Sequence, residues 1–347
     1  KRRSSLDKKY TIAIDAMGGD NAPFCVIAGL DSIYDYLVEN QINLLIFGDT
    51  KVVAPVIAKY PRLNEISTLV QADDVVQGDD KPSRIIRSGR NTSMWKAIEA
   101  VRNKTADAVV SGGNTGCLMG ISRILISMID GIRRPAITTL LPTETSYTTM
   151  LDLGANTECD ENNIFQFAIM GSLYSKIILG KSHPKVGILN IGSESGKGFE
   201  YLSLAAEKMQ ANKDKLSFDY YGFVEGDDIF KGKVDVITTD GFTGNVALKT
   251  LEGTSKFIIK GLKKYFKQSI FSIIGALFAK NSLNKFKSSM DPRKYNGAVF
   301  LGLNGIVVKS HGGTDAFGFS NAVKYAVRLV VNDFETKVQN EIEKVKE

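Results

Sequence analysis

Two segments pair a short apolar run with a glycine-bearing turn in the same order. Asp107-Ala-Val-Val-Ser-Gly-Gly-Asn-Thr-Gly116 lies over Asp235-Val-Ile-Thr-Thr-Asp-Gly-Phe-Thr-Gly244, agreeing at the aspartate, Gly113/Gly241, Thr115/Thr243 and Gly116/Gly244. In each, a β-branched run precedes the turn and a helical pattern follows it. Glycine permits close backbone approach, and the unpaired N–H groups that open a helix point outward toward an anion. Two such loops imply two anionic groups, or one large one, held between halves. Small turn residues before helices are also common in any α/β fold, so the repetition of the whole context is what favours a ligand site.

A third loop, Gly192-Ser-Glu-Ser-Gly196-Lys197-Gly198, invites a nucleotide P-loop reading. Three residues separate its glycines where a Walker loop has four, and Gly198 stands where the magnesium-binding Ser or Thr is required. No GxGxxG opens the first strand–helix unit, so a nicotinamide dinucleotide has no support either. Lys197 still follows an expected strand. It is either a solvated turn residue or, in a glycine-lined anion site, a group that stabilises developing negative charge. Two histidines, His183 and His311, lie far apart, and Cys25, Cys117 and Cys159 form neither a CxxC pair nor a disulfide framework. No metal and no cofactor is expected, catalysis should not lean on imidazole, and a reducing, cytoplasmic compartment fits.

The elements that must carry these loops alternate. Strand patterns fall at Tyr10–Ile14, Asn43–Phe47, Ala108–Val110, Ala136–Leu141, Thr148–Leu153, Lys185–Ile191 and Val234–Thr238. Helical spacing falls at Phe24–Glu39, Lys51–Lys59, Arg84–Lys104, Asn114–Ile129, Glu161–Leu179 and Phe199–Gln210. Strand, crossover helix and strand imply a mostly parallel sheet covered on both faces, with ligands beyond the carboxyl ends of the strands. With 43% apolar and 24% charged residues in 347, the chain should bury a large core. Residues 1–9 read as a loose basic tail and 10–347 as a single α/β/α domain. The tail lacks the apolar stretch of a secretory signal.

The net charge of +6 is local. Between Glu252 and Asp291 stand Lys256, Lys260, Lys263, Lys264, Lys267, Lys280, Lys285 and Lys287 with no acid, and outside them acids slightly outnumber bases. Phe257, Ile258, Ile259, Leu262, Tyr265 and Phe266 recur among these lysines at helical spacing, followed by Ile270, Phe271, Ile273, Ile274, Leu277 and Phe278. Two amphipathic helices meeting near Gln268–Ser272 are expected, as a hairpin inserted at about 250–292. Their stripe must meet the core, a second subunit or the acyl boundary of an anionic membrane. Core or dimer packing is the commoner fate of such stripes. The tip residues Ile270, Phe271 and Ile274 are the membrane-contact candidates. The longest nearly apolar run, Ile270 to Ala279, is far short of the ~20 residues that cross a bilayer.

Taken in order, Ile14-Asp-Ala-Met-Gly-Gly-Asp20 with Asn21-Ala-Pro23, Lys81-Pro-Ser83, Ser111-Gly-Gly-Asn-Thr-Gly116, Leu151-Asp-Leu-Gly-Ala-Asn156 and Thr239-Asp-Gly-Phe-Thr-Gly-Asn245 resemble the bacterial phosphate acyltransferases that make acyl-phosphate for phospholipid synthesis. The similarity extends from about Tyr10 to the terminal helix. It implies the reaction acyl-[acyl-carrier-protein] + phosphate → acyl-phosphate + carrier protein. It also implies an α/β/α fold like that of phosphotransacetylases and isocitrate dehydrogenases, a homodimer, and peripheral attachment to the cytoplasmic membrane face. In that reaction phosphate attacks a thioester carbonyl, an oxyanion forms and a pantetheine thiolate departs. Positioning and electrostatic stabilisation carry it, with no covalent nucleophile.

The resemblance assigns Lys197 and Asn245 as the groups nearest the reaction, Lys197 to neutralise phosphate or oxyanion and Asn245 to donate a hydrogen bond. Gly112, Gly113, Asn114, Thr115 and Gly116 would bind phosphate or the pantetheine arm. Gly18, Gly19, Gly241, Thr243 and Gly244 complete the glycine-lined substrate loops. Asp15, Asp20, Asp152 and Asp240 are unfavourable beside an anion unless they orient lysines and backbone donors or hold a cation; the orienting role is expected, with turn capping as the alternative. Arg84, Arg87 and Arg90, at three-residue spacing along one expected helix, and Arg133-Arg134 in a loop, would dock an acidic carrier or form a solvated face. Two rival readings stay open: a phosphotransacetylase acting on an acyl-coenzyme A, and a non-catalytic membrane scaffold. No feature suggests a nucleic-acid partner.

Overall fold

The computed structural model describes residues 9–345 except Ser195 and Met290. The basic tail therefore lies, apart from Lys9, outside the described residues. Eleven strands form one sheet: β1 Tyr10–Asp15, β2 Ile42–Gly48, β3 Ser67–Gln71, β4 Ala108–Ser111, β5 Ala136–Pro142, β6 Tyr147–Leu151, β7 Lys185–Leu189, β8 Asp219–Val224, β9 Val236–Thr238, β10 Ala298–Leu301 and β11 Ile306–Lys309. Their spatial order is β3-β2-β1-β4-β11-β10-β5-β6-β9-β7-β8.

Alternation along the strands explains the three layers, because successive side chains point to opposite faces. On β1, Ile12 and Ile14 join the larger core with the helices Phe24–Ser32, Glu161–Leu179 and Ala316–Val331, while Ala13 faces the helices Ser93–Arg102 and Thr115–Leu125. Strands buried on both faces read as continuous apolar runs, as Ala108-Val-Val110 does.

The sheet is mostly parallel, but its two halves run in opposite directions. β3, β2, β1, β4 and β11 are mutually parallel, and so are β6, β9, β7 and β8. Between them β11 pairs β10, β10 pairs β5 and β5 pairs β6, all antiparallel. The odd number of reversals turns the second half upside down. The carboxyl ends of β1, β4 and β11 thus leave one edge of the sheet, and those of β6 and β9 leave the other.

The expected strands are present with small shifts of their ends. Four others, β3, β8, β10 and β11, were not expected. Two long helical patterns are interrupted. Phe24–Glu39 breaks into Phe24–Ser32 and Tyr34–Glu39, and Arg84–Lys104 divides into Pro82–Ser88 and Ser93–Arg102. Gly89 ends the first of the latter pair, so Arg90 lies beyond the helix that carries Arg84 and Arg87. The expected single arginine-bearing helix is corrected on that ground.

The helix Gly241–Phe266 begins in the second glycine loop, packs by Ala247, Leu248 and Leu251 against the sheet, and then leaves the core. Ile270–Phe278 follows it as the expected second helix and buries no residue. Phe257, Tyr265, Ile270, Leu277 and Phe278 are all exposed, and Phe271 keeps 81% of its surface open. The chain's own core does not cover this stripe, which leaves a second subunit or an anionic membrane as its partner. Among the described residues no helix is long and apolar enough to cross a membrane.

Candidate functional site

The glycine loops do build sites, but at two edges of the sheet. In the first half, β1, β4 and β11 end side by side, with Asp15 in register with Ser111 and Ser111 with Lys309. Residues in register share a face, so these three side chains rise together. Asp15 is 1% exposed and accepts hydrogen bonds from Ser93 Oγ and Ser111 Oγ at 2.6 Å each and from the Met17 N–H at 3.3 Å. Burial raises its pKa, while the hydroxyl and amide donors pull the other way.

Three glycine turns meet above this row. A Cβ on Gly112 would stand 2.7 Å from the Gly18 carbonyl oxygen, and one on Gly19 would stand 3.0 Å from that of Gly312. Gly19, at φ +107°, also occupies backbone space that side-chain-bearing residues rarely adopt. The Asp20 N–H donates to the Gly312 carbonyl at 2.9 Å. Asn114 caps the helix Thr115–Leu125 by accepting from the Cys117 N–H, and its amide donates to the carbonyls of Gly78 and Asp80. It holds the neighbouring loop in place and leaves Thr115 exposed at the helix start. Gly116 has a packing reason: a Cβ there would come within 3.0 Å of Pro82 Cγ. Beside this site lies a cleft of about 680 Å3, lined among others by Asp80, Lys81, Arg84 and Arg87. Arg84 pairs with Asp80 at 3.4 Å.

The second site repeats the plan. Asp152, fully buried after β6, accepts from the N–H groups of Ile137, Gly154, Ala155 and Asn156 at 2.8–3.1 Å and from Asn156 Nδ2 at 2.8 Å. Its pKa is raised, with burial the largest cause. Asp240 caps the helix Gly241–Phe266, accepting from the Thr243 N–H and Oγ1 and from the Tyr201 hydroxyl. A Cβ on Gly244 would lie 1.9 Å from the Asp152 carbonyl oxygen, and one on Gly241 would lie 2.5 Å from that of Asn156. Asn245 is exposed, packs by its Cβ and amide against Gly154, and makes no side-chain hydrogen bond among the described residues.

Lys197 stands beyond the end of β7 at this same edge. Its carbonyl accepts from Asn190 Nδ2 at 2.8 Å, and its exposed ammonium pairs with Glu194 at 2.9 Å, which raises its pKa. Arg133 and Arg134 also lie at this edge, in the loop leading to β5, with Arg133 on Asp160 at 2.8 Å. The aspartates thus orient hydroxyls and backbone donors and cap a helix, and none forms an ion pair with a site lysine among the described residues.

The two loop sets do not face each other across one chain. They are five strand positions apart in the sheet order and at opposite edges, a separation on the order of 20 Å at normal strand spacing. Neither edge offers an activated thiol. Cys117 is fully buried, and burial pushes the Cys159 thiol up to about 12.

Reading the residues alone overlooked Ser93, Asn156, Asn190, Tyr201 and the whole turn after β11. That turn was within reach, because Ile306-Val-Val-Lys-Ser-His-Gly-Gly313 repeats the apolar run and glycine pair of the others. It also carries His311, whose Nδ1 accepts from the Gly313 N–H at 3.2 Å.

Residues 10–337 match a family described as fatty acid synthesis protein. The chain is 47% identical over 341 residues to a phosphate acyltransferase of Paramagnetospirillum magneticum, covering 98% of this chain and 96% of the relative. It is 46% identical over 340 residues to one of Rhodospirillum rubrum, with the same coverage. Among solved structures, a phosphotransacetylase from Streptococcus pyogenes superposes with a TM-score of 0.61 at 15% identity, covering 94% of this chain and 95% of that one. A branched-chain phosphotransacylase from Enterococcus faecalis gives 0.57 at 14% identity, covering 92% and 99%. These two likenesses establish the α/β/α fold.

Proposed function

The chain belongs to the phosphate acyltransferase family, and on that footing we propose how it acts: it moves the acyl group of an acyl-[acyl-carrier-protein] onto inorganic phosphate, giving acyl-phosphate and free carrier for phospholipid synthesis. The observation that carries the reading is the duplicated site. Each half holds a buried aspartate that stiffens glycine turns beside a helix start, and neither half offers a thiol poised to attack. Such a site binds and orients an oxyanion, so the nucleophile is the bound phosphate itself.

A phosphate oxygen adds to the thioester carbonyl, the carbonyl oxygen takes up negative charge, and the C–S bond breaks to release the pantetheine thiolate. A thiol leaves readily as thiolate, its ordinary pKa being ~8.5. Lys197 turns from Glu194 to the phosphate or oxyanion, and the unengaged amide of Asn245 donates to the same charge. Gly112 to Gly116, with Gly18, Gly19 and Asp20, receive phosphate or the phosphate-bearing end of the pantetheine arm. Because the two sites leave opposite edges of the sheet, their joint action on one thioester calls for a second copy, and a homodimer is part of the proposal. Arg133 and Arg134 at one edge, and Arg84 and Arg87 at the other, meet the acidic carrier. The uncovered stripe at Ile270, Phe271 and Ile274, set among lysines, rests on an anionic membrane face and holds the enzyme at the cytoplasmic surface.

The test is mass spectrometry of the product formed from carrier-bound palmitate and phosphate, with thiol release followed in parallel. Acyl-phosphate with phosphate-dependent thiol release is expected. Thiol released without phosphate would mean a hydrolase. Faster turnover of acyl-coenzyme A than of the acyl-carrier would make the protein a phosphotransacetylase, the activity carried by its structural neighbours.

A further inference from the structure

Lys309 closes β11 in the same row as Ser111 and Asp15, and only 9% of its surface is exposed. Its Nζ donates to the carbonyl oxygen of Gly112 at 3.1 Å and to that of Ser310. It forms no ion pair among the described residues. Asp15, at the far end of the row beyond Ser111, has turned both carboxylate oxygens to the hydroxyls of Ser93 and Ser111. A lysine buried this way gives up hydration without gaining a salt bridge, a cost an apolar residue of similar length would avoid.

What surrounds the ammonium is the meeting point of the three glycine turns. The Gly112 oxygen it holds is the atom a Cβ on Gly19 or Gly312 would approach to 3.4 Å. The helix Thr115–Leu125 starts there, adding outward N–H groups. In the second half the strand beside β9 is β7, and Asn190, the residue after it, holds the Lys197 loop by its side-chain amide. The first half has its own cation, Lys309, at the end of the strand beside β4, where the second half has Lys197 in the loop beyond β7.

We propose that Lys309 is the cation of a tetrahedral-oxyanion site in the first half, taking a phosphate group that is either free orthophosphate or the phosphodiester of the carrier's pantetheine arm. This rests on the reading that the enzyme handles both groups. The anion replaces the two carbonyls as the ammonium's partner and relieves the burial of an uncompensated charge. Burial lowers the Lys309 pKa to about 8, against the opposing pull of Asp15 and Asp20. The site should therefore weaken where lysines ordinarily stay charged.

Sulfate, a dianion throughout this range, is the probe, with binding to the full-length protein measured by calorimetry and inhibition of turnover followed from pH 7 to 9.5. In the wild type its affinity should fall about tenfold per pH unit above about 8. Lys309→Arg, charged at every pH used, should bind with little pH dependence, and Lys309→Met should bind at least tenfold more weakly at pH 7.5. Inhibition competitive with phosphate identifies the orthophosphate source, and inhibition competitive with acyl-carrier identifies the arm. Undetectable sulfate binding by the wild type, equal affinity in Lys309→Met, or one shared pH profile for wild type and Lys309→Arg would overturn the assignment. A lysine that merely braces the loop would not move that profile. Should Lys309→Met fail to fold, the comparison with arginine decides alone. Lys309-dependent sulfate binding without acyl-phosphate formation would instead refute the enzymatic reading and leave the anion site standing.

Discussion

Gly244 and Gly253 belong to one helix, Gly241–Phe266, and intrinsic propensity treats them alike: alanine at either should stabilise by roughly 0.5–1 kcal/mol. The structure separates them. A Cβ at 253 meets nothing within 4 Å, so Gly253→Ala should keep the gain from propensity. A Cβ at 244 would sit 1.9 Å from the carbonyl oxygen of Asp152. That oxygen is backbone, and its residue is tied by five hydrogen bonds, so it cannot swing aside as a side-chain tip would. Restoring ordinary contact needs a shift of more than 1 Å. Overpacking of this kind costs about 1–3 kcal/mol, and any of the Asp152 bonds broken by the shift adds about 1–3 kcal/mol for a buried donor left unpaired. Against at most ~1 kcal/mol of propensity gain, Gly244→Ala with one such bond broken should destabilise by about 1–5 kcal/mol in net. Urea unfolding at constant m-value measures both: the midpoint should rise for Gly253→Ala and fall for Gly244→Ala. Turnover should follow, because Asn245 and the Asp152 loop move together, so Gly244→Ala loses activity and Gly253→Ala keeps it. A Gly244→Ala protein as stable and active as the wild type would refute the claim that this glycine exists to let two backbones touch.

Lys197→Ala and Asn245→Ala should each lower turnover by about 10²–10³, the usual loss on removing one oxyanion donor, with circular dichroism and urea midpoint unchanged; unaltered turnover in both would favour the scaffold reading. Phe271→Asp combined with Ile274→Asp removes two exposed apolar anchors worth ~1.5–3 kcal/mol each when fully buried. Co-sedimentation with anionic vesicles should be abolished while soluble turnover persists, and retained binding would point the hairpin to subunit packing alone. Asp15 has a folded-state pKa above its ordinary value of 3.8. Folding then favours its protonated form, and its contribution to stability is full below that ordinary value and lost as pH rises through the folded one. Relative to Asp15→Asn, the wild type should gain stability as pH falls from 7 to 4 in urea titrations; a gap that stays constant or narrows would contradict the burial argument.

The sequence alone was enough to place most of the strands, the strand–turn–helix repeat and the amphipathic hairpin, because periodicity and turn chemistry are local properties. The kinship of Asp15 with Asp152 was within reach too, since Ile14-Asp-Ala-Met-Gly-Gly and Leu151-Asp-Leu-Gly-Ala share a strand-ending aspartate before glycine. What each does depended on partners far along the chain: Ser93 and Ser111 for one, Ile137 and Asn156 for the other. Lys309 stayed hidden for a similar reason. A lysine after three β-branched residues looks like any strand end until register sets it beside Ser111 and the fold closes over it. Gly116 and Gly244 were legible as glycines but not as contacts, since the atoms that forbid a side chain belong to Pro82 and Asp152. The placement of the two loop sets at opposite edges was the least local fact of all. It follows from three antiparallel pairings, β11–β10, β10–β5 and β5–β6, that invert one half against the other. Strand direction is a property of how hydrogen-bonded neighbours are chosen; β11–β10 and β5–β6 are local pairings, but β10–β5 joins residues far apart along the chain, such as Val299 and Thr138, and makes that choice only once the chain has folded.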